Sequence, residues 1–132
     1  MSFEEISHTA DWSVRVWAED LPSLFAEAAR AMNTLSGTVT GTSSPVMRVF
    51  ESDGADAESL LVAFLSELVY YQEQENLAFD TFDIQMNGER ITVNMEGGAI
   101  QSIDKAIKAV TYHNLKIERT SRGVEATLVF DV

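Results

Sequence analysis

The chain has 132 residues, 21 acidic and 9 basic, for a net charge of -12 and no cysteine. That length suits one domain able to bury a core without staples. The missing cysteines exclude disulfides and thiolate metal sites, and the charge opposes binding to a phosphate backbone, which needs a basic patch.

Met1-Ser2-Phe3-Glu4-Glu5 has neither the basic nor the apolar segment of a signal peptide, and no apolar run reaches membrane-span length. A cytoplasmic protein without membrane association is expected.

Phe3 to Ser7 reads as a short first strand. Trp12 to Ala18 alternates, with Trp12, Val14 and Val16 on one face and Ser13, Arg15 and Trp17 on the other. Asp20 can cap a helix with Pro22 in its first turn, and Leu21, Leu24, Phe25, Ala28, Met32 and Leu35 form its apolar stripe. Ser36-Gly37 ends it. Thr38 to Ser44 reads as a loop, Val46 to Phe50 as a strand, and Ser52-Asp53-Gly54 as a turn.

A second helix is expected from about Asp56 to Asn76, with Leu60, Leu61, Phe64, Leu65, Leu68 and Tyr71 inward. Phe79 to Met86 and Arg90 to Met95 form a hairpin around Asn87-Gly88, and Gly97-Gly98 breaks the run. Ala109 to Glu118 and Val124 to Phe130 form a last hairpin around Ser121-Arg122-Gly123. The pattern predicts one α+β domain over residues 1–132, with antiparallel or mixed sheet layers packed against two main helices.

There is no phosphate loop, nucleophile elbow or histidine-rich zinc pattern, so carboxylates remain. Asp11 precedes the second strand. Asp131 ends the last strand, and Val132 adds a terminal carboxylate. If those strands are neighbours, these oxygens converge, and hard oxygens without sulfur suit Ca²⁺, Mg²⁺ or Mn²⁺. An Asp in a turn equally caps local N–H groups, and an Asp near a chain end is equally well solvated.

His8 offers an indirect ligand or a backbone hydrogen bond. Lys108 shares a face with Val110 and Tyr112. It suits contact with a phosphate or an acidic partner residue, or simple solvation over its own apolar stem. Glu67 lies beside the apolar stripe, either as a functional carboxylate or at a watered helix boundary. Tyr70-Tyr71-Gln72-Glu73 reads as the exposed end of the second helix. Trp12 and Trp17, with no cluster of basic residues around them, read as core or half-core rather than base-stacking platforms.

These motifs, in order, resemble the archease family. They are His8-Thr9-Ala10-Asp11, Leu24 to Met32, Glu58 to Tyr70, Lys108 to His113, and the closing Phe130-Asp131-Val132. Trp12 departs from the smaller aliphatic residue common after the first motif, and the Thr38 to Ser44 loop is unusually polar. The resemblance implies a non-enzymatic, chaperone-like accessory protein of the RtcB-type tRNA-splicing ligase, which promotes ligase guanylylation and repeated turnover. It implies a metal site at Asp11, Asp131 and Val132, usually holding calcium, and a functional lysine at Lys108. Direct nucleic-acid binding is not expected. Two rivals are a stand-alone metal-dependent hydrolase or nuclease on the same carboxylates, and a general acidic protein-interaction module. The first is opposed by the shortage of further ligands near these motifs.

Overall fold

The computed structural model describes residues 2–6, 11–41 and 44–132. Strands β1 (Ser2–Ile6) and β2 (Trp12–Ala18) lead into helix α1 (Leu21–Ser36). Short β3 (Val39–Thr40), β4 (Val46–Asp53) and helix α2 (Ala57–Gln74) follow. Then come β5 (Leu77–Asn87), β6 (Arg90–Ser102), β7 (Ala109–Val110), β8 (Glu118–Thr120) and β9 (Gly123–Asp131).

The strands form two sheets, and every described pairing is antiparallel. In one sheet β9 is central, with β2 and then β1 on one side and β7 and β8 on the other. In the other, β6 is central, with β5 on one side and β3 and β4 along the opposite edge. Both helices touch both sheets, so the helices form the middle of the domain. This is the expected α+β architecture.

Two-sided burial explains the helix sequences. The stripe of α1 is widened by buried Ala26, Ala29 and Ala31, whose small side chains let the helix approach both sheets. Asp20 caps α1 by accepting from the Ser23 amide at 2.9 Å. Gly37 closes it in the left-handed conformation (φ 66°), which costs glycine nothing. In α2, Val62 and Val69 are buried beside the expected stripe, while Leu68 is only half-buried. Phe64 is the hub of the core. Its ring stacks on Phe25 at 6.2 Å, meets Phe82 edge-on at 5.7 Å and tilts toward Phe50 at 6.0 Å.

Several boundaries differ from the sequence reading. β4 takes in Ser52 and Asp53 of the expected Ser52-Asp53-Gly54 turn and stops before Gly54, with Arg90 across the ladder bonding both Asp53 and Glu51. Helix α2 stops at Gln74 rather than Asn76, and Asn76 takes a positive φ of 54°. Gly97-Gly98 does not break β6, which runs on to Ser102. It sits opposite an irregularity in β5 between Phe79 and Thr81. A Cβ on Gly97 would collide with the Ala78 carbonyl and come within 2.6 Å of Phe79 Cα, so this glycine permits close strand approach. Ala109 to Glu118 is not one strand. A turn bonded from Leu115 N–H to Tyr112 C=O splits it into β7 and β8, with Asn114 at φ 53°. Val39–Thr40 pairs with β6 inside the expected Thr38 to Ser44 loop, whose Thr42 and Ser43 lie outside the described residues.

Candidate functional site

Strand order brings the chain's two ends together. β2 and β9 are hydrogen-bonded neighbours, with Trp12 paired to Phe130. One step further along that register Asp11 comes level with Asp131. Burial fixes the faces. Val124, Ala126, Leu128 and Phe130 of β9 point to the helices, so Asp131 falls with Glu125, Thr127 and Val129 on the outer face. Val14, Val16 and Ala18 of β2 likewise point inward and leave Ser13, Arg15 and Trp17 outward, with Asp11 exposed just before the strand.

Both Asp11 and Asp131 are exposed. Among the described residues neither carboxylate meets a cationic side chain within ion-pair distance. The next outward positions are different: Arg15 bridges Glu4 at 2.6 Å, and Arg122 bridges Glu125 at 3.1 Å while lying 3.8 Å above the Trp17 ring. Trp17 is therefore an outer-face residue, and Trp12 packs on the core.

The donor chemistry of Asp11 and Asp131 is that of a hard-cation site, with main-chain oxygens of Val132 next along the strand. It is a sparse set. Among the described residues no three His, Asp or Glu side chains gather as metal donors, so water would have to complete any shell. His8 lies outside the described residues.

Lys108 reaches the same end by the other side of β9. Its N–H donates to the Asp131 carbonyl at 2.8 Å, and the Thr111 N–H and hydroxyl both donate to the Val129 carbonyl at 3.1 Å. These bonds clamp β7 against β9. Because Ala109 pairs with Asp131, Lys108 alternates to the opposite face from the Asp131 carboxylate. Accordingly it lines an open groove of about 230 Å³ with Ser66, Tyr70 and Glu73 of α2. Of the expected strand face of Lys108, Val110 and Tyr112 only Val110 lies in β7; Lys108 precedes the strand and lines the same groove as Val110, and Tyr112 follows it. Lys108 and the two aspartates thus meet at one end of the sheet but on its two sides.

Three residues here were given no part in the site by sequence reasoning. Phe130 is fully buried between Trp12 and Val110 on the neighbouring strands and holds the strand ends in register. Thr111 is the clamp, and only its place beside Lys108 hinted at that. Tyr70 is half exposed at the Lys108 groove, as expected of the helix end, while Tyr71, the last residue of the expected inward stripe, is buried edge-on against Phe79 at 5.3 Å. Glu67 is half-buried on α2. His113 is exposed in the turn after β7, with Asn114 at 3.2 Å from its ring nitrogen.

Among the described residues no helix is long and apolar enough to cross a membrane. Residues 3–132 match the archease protein family (MTH1598/TM1083). The chain is 30% identical to the protein archease of Methanopyrus kandleri over the full length of both. It is 33% identical to that of Pyrococcus furiosus over 92% of this chain and 91% of the relative. An archease structure from Thermotoga maritima, described as a possible chaperone, shares the fold with a TM-score of 0.71 at 23% identity, covering 98% of this chain and 96% of that one. The solution structure of protein 1598 from Methanobacterium thermoautotrophicum does so with a TM-score of 0.73 at 24% identity and 98% coverage of both. The chain belongs to the archease family.

Proposed function

We propose that this protein is a non-catalytic accessory factor of an RtcB-type RNA ligase, promoting guanylylation of the ligase and its repeated turnover in tRNA processing. The observation that carries this reading is the placement of Asp11 and Asp131 directly after the paired ends Trp12 and Phe130: two exposed carboxylates, neither within ion-pair distance of a cationic side chain among the described residues. Family membership supplies the context.

Asp11, Asp131 and main-chain oxygens of Val132 would hold a divalent cation, calcium before magnesium or manganese. When bound, that ion offers positive charge to phosphate oxygens. The chain's own contribution is a rigid acidic end, pinned by Phe130 and by the Lys108 and Thr111 bonds to β9. An acidic end suits the basic cleft of an enzyme that handles RNA and nucleotide, since opposite fields raise encounter rates. Lys108, on the other face, would meet an acidic partner residue or a phosphate. The shortage of further acidic or histidine ligands beside Asp11 and Asp131 among the described residues favours an accessory role over stand-alone metal-dependent hydrolysis.

The test is multiple-turnover RNA ligation by an RtcB-type ligase with this protein added, with and without chelator. Wild type should raise the number of ligations per ligase. Asp11→Ala and Asp131→Ala should each abolish most of that gain while melting like wild type. Full stimulation by both variants would sink the proposal.

A further inference from the structure

A second surface lies on the other sheet. Met47 and Val49 are 67% and 57% exposed, the most open large apolar residues of the β4 strand. Val39, 50% exposed, lies on β3 along the same edge of β6. Among the described residues β4 pairs only with β6, so its other edge has no strand partner, although the Met47 carbonyl accepts from the Arg48 guanidinium at 2.9 Å. Its outward face carries apolar side chains rather than the lysines that commonly blunt such edges.

The register across this face says what it would take. Met47 stands beside Glu96, which stands beside Thr81; Val49 stands beside Asn94, which stands beside Asp83. An open cleft of about 230 Å³ runs between Met47, Glu96 and Asp83. Neither Glu96 nor Asp83 is within ion-pair distance of a cationic side chain among the described residues. Further along the same ladder Arg90 offsets part of the charge, meeting Glu51 at 2.8 Å and Asp53 at 3.1 Å. So uncompensated negative charge coincides with the exposed apolar side chains and the free strand edge.

We propose that the β4 edge and its outer face dock an extended, basic segment of a protein partner, added as a strand beside β4. An arginine or lysine of that segment would lay its aliphatic stem over Met47 and place its cation at Glu96 and Asp83. A second copy of this chain fits poorly, because each copy brings a net charge of -12 and its own Glu96 to the contact. Nucleic acid is disfavoured by the same charge. This surface belongs to the β6 sheet, whereas Asp11 and Asp131 belong to the β9 sheet, and the inference does not depend on the role of those aspartates.

The experiment is an NMR titration of the isotope-labelled protein with a short peptide alternating arginine and valine. Perturbations should centre on Met47, Val49, Asp83 and Glu96. The matching glutamate–valine peptide should leave them unmoved at about tenfold higher concentration. A Met47→Ser/Val49→Ser variant and an Asp83→Asn/Glu96→Gln variant should each weaken binding about tenfold with unchanged melting, while Asp131→Ala binds as wild type. Four results would overturn the proposal: shifts spread over all acidic surfaces, undiminished binding by either double variant, binding of a short single-stranded RNA at this face, or a concentration-dependent dimer disrupted by Met47→Arg.

Discussion

Phe130→Ala probes whether the candidate site is held by packing. The Phe130 ring is fully buried on the helix-facing side of β9, flanked by Trp12 of β2 and Val110 of β7. Those are the pairs next to Asp11, Asp131 and Lys108. Truncation removes the ring's burial and leaves a cavity that rigid strands on both sides cannot close. The cost should be about 3–5 kcal/mol, a large part of the roughly 5–15 kcal/mol that holds an ordinary domain together. Urea unfolding followed by circular dichroism reads it directly. With a slope of roughly 2 kcal/mol per molar urea, the midpoint should fall by about 2 M with the slope unchanged. Thr127→Ala, on the outer face of the same strand, should stay within about 0.5 kcal/mol of wild type. A Phe130→Ala midpoint within about 0.3 M of wild type would refute the reasoning, because it would mean that the end of β9 is not pinned by this ring.

Gly97→Ala should destabilise by about 2 kcal/mol or more, read in the same urea assay, since its methyl would strike the Ala78 carbonyl across the β5–β6 ladder. Asp20→Ala should cost about 1 kcal/mol through loss of the α1 cap. The Ser23 amide and then its hydroxyl hold the Asp20 carboxyl below the usual carboxylate range. A lowered folded-state pKa means that the ionised cap stabilises above the unfolded value, about 3.9. That contribution is lost as pH falls through the folded value. The wild-type advantage over Asp20→Ala should therefore be level at neutral pH and shrink below about pH 4; an advantage that grows with acid would contradict the sign. Calcium at about 100 times its dissociation constant should stabilise wild type by about 2.7 kcal/mol. Asp131→Asn should lose most of that gain in thermal melts, and equal gains in both proteins would argue against Asp131 as a ligand.

Much of the fold was legible because local signals agreed. Asp20, Pro22 and Gly37 bracket α1, the Asn87-Gly88 signal marks a hairpin whose loop falls one residue on at Gly88-Glu89, and alternation in β2 and β9 names the inward faces. What was not legible depended on partners distant in sequence. Gly97-Gly98 looks like a break until the β5 irregularity beside it is known. Asp53 looks like a turn residue until Arg90 is placed across from it. The site was legible in part. Asp11 and Asp131 are at opposite ends of the chain, and only the β2–β9 pairing puts them side by side. Lys108 was expected at the same end, but its face follows from the Ala109–Asp131 pair, which no local pattern encodes.

The most direct test of the account is single-turnover guanylylation of an RtcB-type ligase, measured as labelled GMP on its histidine. Wild-type protein should raise the rate, and Asp11→Asn/Asp131→Asn should return it to that of the ligase alone, although the charge change barely alters the fold. A double variant as active as wild type would contradict the claim that these two carboxylates are the working end of the protein.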